Sequence, residues 1–91
     1  MVIEMLTFPV AGPDRDGWLQ ADRRIWTSFL ETCDGFVRKE LWHETPDVIH
    51  AVIWWQTMEH WKAIDATTVA RLDADMGTWH REPTCRAFNV L

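Results

Sequence analysis

Apolar residues change their period several times along the chain, and each change marks an element. Val2-Ile3-Glu4-Met5-Leu6-Thr7-Phe8 is rich in β-formers and runs into Pro9, which has no N–H for a ladder, so the pattern predicts a first strand. Gly12-Pro13-Asp14 opens a helix, with Pro suited to its first position and Asp14 and Asp16 near its positive end. Trp18, Ile25, Phe29 and Cys33 then recur at steps of seven, four and four, with Leu19, Trp26 and Leu30 beside them. That is the stripe of an amphipathic helix lying on a flat apolar surface. Gly17 weakens its first turns, and Asp34-Gly35 supplies the stop.

Phe36 to His43 alternates apolar and polar residues and reads as a second strand. Val48 to Trp55 is nearly continuously apolar, which predicts a third strand covered on both faces. Only Glu44-Thr45-Pro46-Asp47 separates the two, so they are antiparallel. Thr57 is the N-cap of a helix carrying Glu59 in its first turn and Met58, Trp61 and Ile64 at helical steps. Asp65 caps a second segment whose inner face is Val69, Leu72 and Met76, and Gly77 ends it. Residues 78–83 read as a loop and Thr84 to Leu91 as the last strand.

Strand, helix, strand, strand, broken helix, strand is the split βαβ order of a ferredoxin-like α+β fold. It predicts one domain over residues 1–91, with a four-stranded antiparallel sheet and its helices on one face. Strand three carries Ile49, Ala51, Ile53 and Trp55 on one side and Val48, Val52 and Trp54 on the other. A second apolar face with no helix left to cover it calls for a partner, and a second copy of the chain is the economical one.

Composition adds one anomaly. Apolar residues are 47% and charged residues 25% of 91, ordinary for a globular domain, but seven Trp and four Phe are more large apolar surface than one small core needs. A cavity or a subunit interface would use the excess. A net charge of −5, without a basic cluster, argues against nucleic acid and anionic membrane as partners. No apolar run approaches the roughly 18 residues of a membrane span. Residues 1–12 lack the basic start of a secretion signal, and Cys33 and Cys85 stand alone, so the expectation is a cytoplasmic protein with free thiols.

At Asp34-Gly35-Phe36, and at Ile53-Trp54-Trp55-Gln56-Thr57 with Trp61, the chain resembles the dimeric α/β-barrel proteins, in particular the antibiotic-biosynthesis-monooxygenase-like (ABM) domains. The likeness spans essentially the whole chain. Val2 to Phe8, Gly35-Phe36-Val37-Arg38-Lys39-Glu40 and Trp61-Lys62-Ala63-Ile64 resemble a largely cyanobacterial subgroup of unassigned function. The resemblance implies a homodimer whose sheets close into a barrel, and a cleft between sheet and helices in each subunit. It implies activities ranging from cofactor-free oxygenation of polycyclic phenols to haem degradation and lactone isomerisation. The haem-degrading pattern of Asn, Trp and His falls at Glu4, Ile64 and Ala74, and none matches.

Candidate chemistry follows from polar residues inside strands. Glu4, Arg38, Glu40 and His50 interrupt apolar segments, and a buried charge needs a partner. One reading is a structural ion pair of Arg38 with Glu4 or Glu40. The other is a catalytic set, with Glu4 or His50 as base, Arg38 holding the resulting anion and Trp26, Trp54, Trp55 and Trp61 walling a site for a small hydrophobic molecule. Hairpin register decides which face Arg38 and His50 occupy, and one residue of slip reverses it. His43 and His50, with Glu44 and Asp47, lack the spacing of a metal set. The function that the resemblance implies is that of a cofactor-free, metal-free monooxygenase-like enzyme of aromatic or quinone-like molecules. The alternative is a non-catalytic dimer that binds a small molecule or serves a structural or regulatory role.

Overall fold

The alternating segments become a four-stranded antiparallel sheet in the computed structural model, which describes residues 1–91. The strands are β1 (Val2–Pro9), β2 (Phe36–Glu44), β3 (Val48–Trp55) and β4 (Thr84–Asn89), in the spatial order β2-β3-β1-β4. Glu4 pairs with Ile53 on one side and Ala87 on the other. Val2, Glu4, Leu6 and Phe8 therefore share the helix-covered face with Ile49, Ala51, Ile53 and Trp55. The last strand ends at Asn89, short of the expected Leu91, because Asn89 already faces Val2, where β1 begins. A single further bond, from Val90 N–H to Met1 O, follows it.

A tight turn at Gly12–Asp14 leads into α1 (Arg15–Asp22). The expected uninterrupted helix to Asp34 does not form. The chain widens into a π-helical segment over Arg23–Thr27, narrows to a last turn, α2 (Ser28–Leu30), and stops. A π turn takes in an extra residue, so the apolar stripe changes phase there. Trp18 and Ala21 before it and Leu30 after it are buried, while Ile25 and Phe29 are only partly so. The N–H groups of Thr32 and Cys33 bond three residues back, tightening the exit toward Gly35. Gly35 has φ +79°, and a Cβ there would run into the His60 ring, so only glycine fits.

Both expected caps are present. Thr57 Oγ1 accepts the His60 N–H at 3.2 Å and starts α3 (Met58–Lys62). Asp65 Oδ1 accepts the Thr68 N–H at 2.7 Å and starts α4 (Ala66–Met76), which holds the Asp65 carboxyl below its usual pKa. Leu72 and Met76 are buried as expected; Val69 is not, because it borders a cavity. The core is divided. Val10, Trp18, Ala21, Ile49 and Met76 pack one end of the layer, and Val2, Leu30, Ile53 and Trp55 the other. No helix is long and apolar enough to cross a membrane.

Candidate functional site

Between the two core clusters, sheet and helices leave a cavity of about 350 Å³. Ala51, buried on the floor between Ile49 and Ile53, leaves room where a larger side chain would join the clusters. Leu6, Phe8 and Ile53 complete the floor, Trp18, Trp26 and Leu30 form the wall from the first helix, and Trp61, Ile64, Val69 and Met76 the opposite wall. This size and lining suit a small, flat, apolar molecule with few polar contacts. Trp18 N–H is buried without a hydrogen-bond partner, and the Phe8 ring sits 4.9 Å from the Trp18 ring at 53°.

Glu4 enters the floor from the middle of β1. Trp55, fully buried beside it on the same face, donates its indole N–H to Glu4 Oε1 at 3.1 Å. Burial raises the Glu4 carboxyl above its ordinary pKa; the Trp55 hydrogen bond and the charges of Lys62 and Lys39 offset part of that. The group is therefore a better proton acceptor, once ionised, than an exposed glutamate.

A second polar unit lies across the floor. Lys39 Nζ meets Asp22 Oδ2 at 2.7 Å and Thr27 Oγ1 at 2.9 Å, and both charged side chains border the cavity. Burial raises the Asp22 carboxyl, against the stabilising charge and hydrogen bond of Lys39. At the rim, Lys62 Nζ lies 4.2 Å over the Trp61 ring, Arg81 meets Asp14 at 3.2 Å, and His80 stands between Asp73 at 3.7 Å and Glu82 at 3.4 Å.

The residues singled out from sequence divide between two faces. Glu4, Trp26 and Trp61 border the cavity, and Trp55 holds Glu4 from beside it. Arg38, His50 and Trp54 lie on the opposite face of the sheet. Arg38 pairs with Trp54 in the ladder, stacks over its ring at 4.1 Å and meets Glu40 at 3.3 Å. His50 donates its Nε2–H to Glu44 Oε1 at 2.7 Å, and its Nδ1 hydrogen-bonds with Thr7 Oγ1 at 2.9 Å. His43 pairs with Ile49 and His50 with Trp42, so the two imidazoles point to opposite faces. The reason is a bulge in β2: Phe36 faces Trp55 and Arg38 faces Trp54, leaving Val37 as the extra residue. Without it Arg38 would face Ile53 on the cavity side; with it Lys39 does. Sequence reading missed Asp22 and Lys39. The available signal was a lone acid inside an apolar helix stripe and a lysine alternating with Leu41.

No protein-family model matches the sequence, and no curated protein matches it. Solved structures do. A monooxygenase from the gene ActVA-Orf6 of Streptomyces coelicolor, solved with the ligand nanaomycin D, superposes with TM-score 0.80 at 14% identity, over 99% of this chain and 87% of that one. SnoaB, a cofactor-independent oxygenase from Streptomyces nogalater, gives 0.77 at 15% identity, over 99% and 92%. A provisionally assigned antibiotic-biosynthesis monooxygenase from Deinococcus radiodurans gives 0.75 at 14%, over 100% and 93%. At these identities what is shared is the fold: the chain is a ferredoxin-like α+β domain built as the ABM monooxygenases are.

Proposed function

We propose that this protein is a cofactor-free oxygenase of small aromatic, phenol- or quinone-like molecules, acting as a homodimer in the cytoplasm. The observation that carries the reading is the aromatic-walled cavity with a desolvated carboxyl, Glu4, in its floor. In such chemistry an electron-rich substrate is the reductant of dioxygen. The protein removes a proton, and the substrate anion gives electrons to oxygen. One oxygen atom enters the ring as a carbonyl, and the other leaves as water with two substrate hydrogens. Glu4 is the base: a carboxyl raised by burial lies nearer the working pH, where general bases are most effective. Trp26 and Trp61 hold the ring and keep bulk water out.

The dimer reading rests on the uncovered face, where Ile3, Met5, Trp54 and Phe88 give a partner an apolar patch. A permanent interface of this kind buries roughly 2,000 Å² or more in total. The decisive experiment is oxygen uptake with a panel of naphthols and hydroxynaphthoquinones, read beside quenching of Trp fluorescence. Binding with uptake that Glu4→Gln abolishes supports the enzyme. Binding without uptake for any member makes the protein a small-molecule carrier, and no binding leaves a structural dimer.

A further inference from the structure

The Lys39–Asp22 pair is out of place as a stability device. Its side chains are 5% and 3% exposed, and buried ion pairs exchange for well-packed apolar residues with little loss or a gain. Two irregularities nevertheless converge on it. In a regular α-helix, residues five apart point well away from one another. The π turn over Arg23–Thr27, closed by the Ser28 N–H on Arg23 O, stacks Asp22 and Thr27 on one face, where both reach Lys39 Nζ. The bulge at Val37 turns Lys39 inward. An ammonium carries three protons. Asp22 and Thr27 take two, and no protein acceptor takes the third, on a lysine that borders the cavity.

Across the sheet Lys39 and Glu4 both pair with Ile53, from opposite sides, so their side chains rise over the same floor residue. We propose that Lys39 is the oxyanion-binding residue of the cleft, with Asp22 and Thr27 positioning it. The ligand hydroxyl passes its proton to the Glu4 carboxylate. The oxygen keeps the bonding pair and accepts the third N–H of Lys39. This rests on the cavity being the aromatic site proposed above, and it narrows the ligand to one with an ionisable phenolic or enolic hydroxyl. Of the other charges bordering the cavity, Lys62 from α3 lies over Trp61, and Asp73, His80, Arg81 and Glu82 pair among themselves or with Asp14 at the rim. Asp22 cancels most of the ammonium's long-range field, so selection is by contact with the oxygen and not by net charge.

The probe is 7-hydroxycoumarin, whose absorbance reports its own ionisation, with 7-methoxycoumarin as the neutral control. Bound to the native protein, the dye is expected to ionise roughly tenfold more readily than in solution, the scale of one charge-assisted hydrogen bond. In the Asp22→Leu/Lys39→Met variant, which removes the pair together, that enrichment disappears while the ether still binds. Thr27→Val, which leaves the pair in place, loses part of it. Binding of both coumarins to the native protein without phenolate enrichment, or full enrichment in the double variant, overturns the role of Lys39 and leaves the cavity reading standing. Failure of both coumarins to bind the native protein overturns the cavity reading and this inference with it.

Discussion

The two faces of one sheet carry the same kinds of residue and treat them differently. On the helix-covered face the charges are few and enclosed: Glu4 against the Trp55 indole, and Lys39 against Asp22 and Thr27. On the other face they lie in pairs open to solvent in the single chain, Arg38–Glu40 at 59% and 43% exposure and His50–Glu44 at 18% and 66%. Water screens the second set, so it contributes little. The first set is removed from water and needs partners in the protein or in a bound ligand. Side chains that a sequence cannot tell apart are thus fixed instruments on one face and adjustable surface on the other.

The largest expected effect tests whether the second face is surface at all. Trp54→Glu sets a charge on that face without touching the cavity, and sedimentation is expected to pass from a dimer to a single chain of 10.7 kDa. A native protein that already sediments as 10.7 kDa would refute the dimer outright.

Breaking the enclosed pair from one side comes next. Lys39→Met leaves Asp22 buried and charged, and chemical denaturation is expected to show a loss of about 3–5 kcal/mol, while Asp22→Leu/Lys39→Met recovers most of it. Equal losses in the single and double variants would mean that the pair is better hydrated than the structure indicates.

Glu4 gives a pH signature. Its folded pKa is raised by burial, so between the unfolded value and the folded one the native state holds the proton more tightly than the unfolded chain does. Its contribution is full below the unfolded pKa and is lost as pH rises through the folded pKa. Glu4→Gln, which keeps an oxygen for the Trp55 N–H, is expected to fare better against the native protein at pH 7 than at pH 4. Asp22 shifts in the same direction and remains in both proteins, so it cancels in the comparison. A difference independent of pH would place Glu4 in ordinary solvent.

The smallest effect belongs to the solvent-facing pair. In the monomeric Trp54→Glu background, Glu40→Gln is expected to change stability by only about 0–1 kcal/mol. A larger change would mean that this face stays covered in the single chain.

Much of this was legible along the chain. Alternation over Val2–Phe8, the apolar run Val48–Trp55, the Thr57 and Asp65 caps and the Gly35 and Gly77 stops give the element order, and that order gives the sheet. Glu4 could be singled out because a charge amid Ile3, Met5 and Leu6 is locally anomalous. Asp22 in its apolar helix stripe and Lys39 beside Leu41 are each weak local signals, and their pairing across 17 positions is visible only in the fold.

By itself the sequence determined the elements, their order and the excess of tryptophan, because caps, turns and apolar periodicity act over a few neighbouring residues. Only the tertiary structure decided which of Arg38 and Lys39 faces the cavity and whether Asp22 and Thr27 share a side of their helix. Each answer depends on one extra residue, a bulge in β2 and a π turn after α1. Insertions of that kind are chosen by how strand and helix fit against each other, and local propensity does not encode that fit.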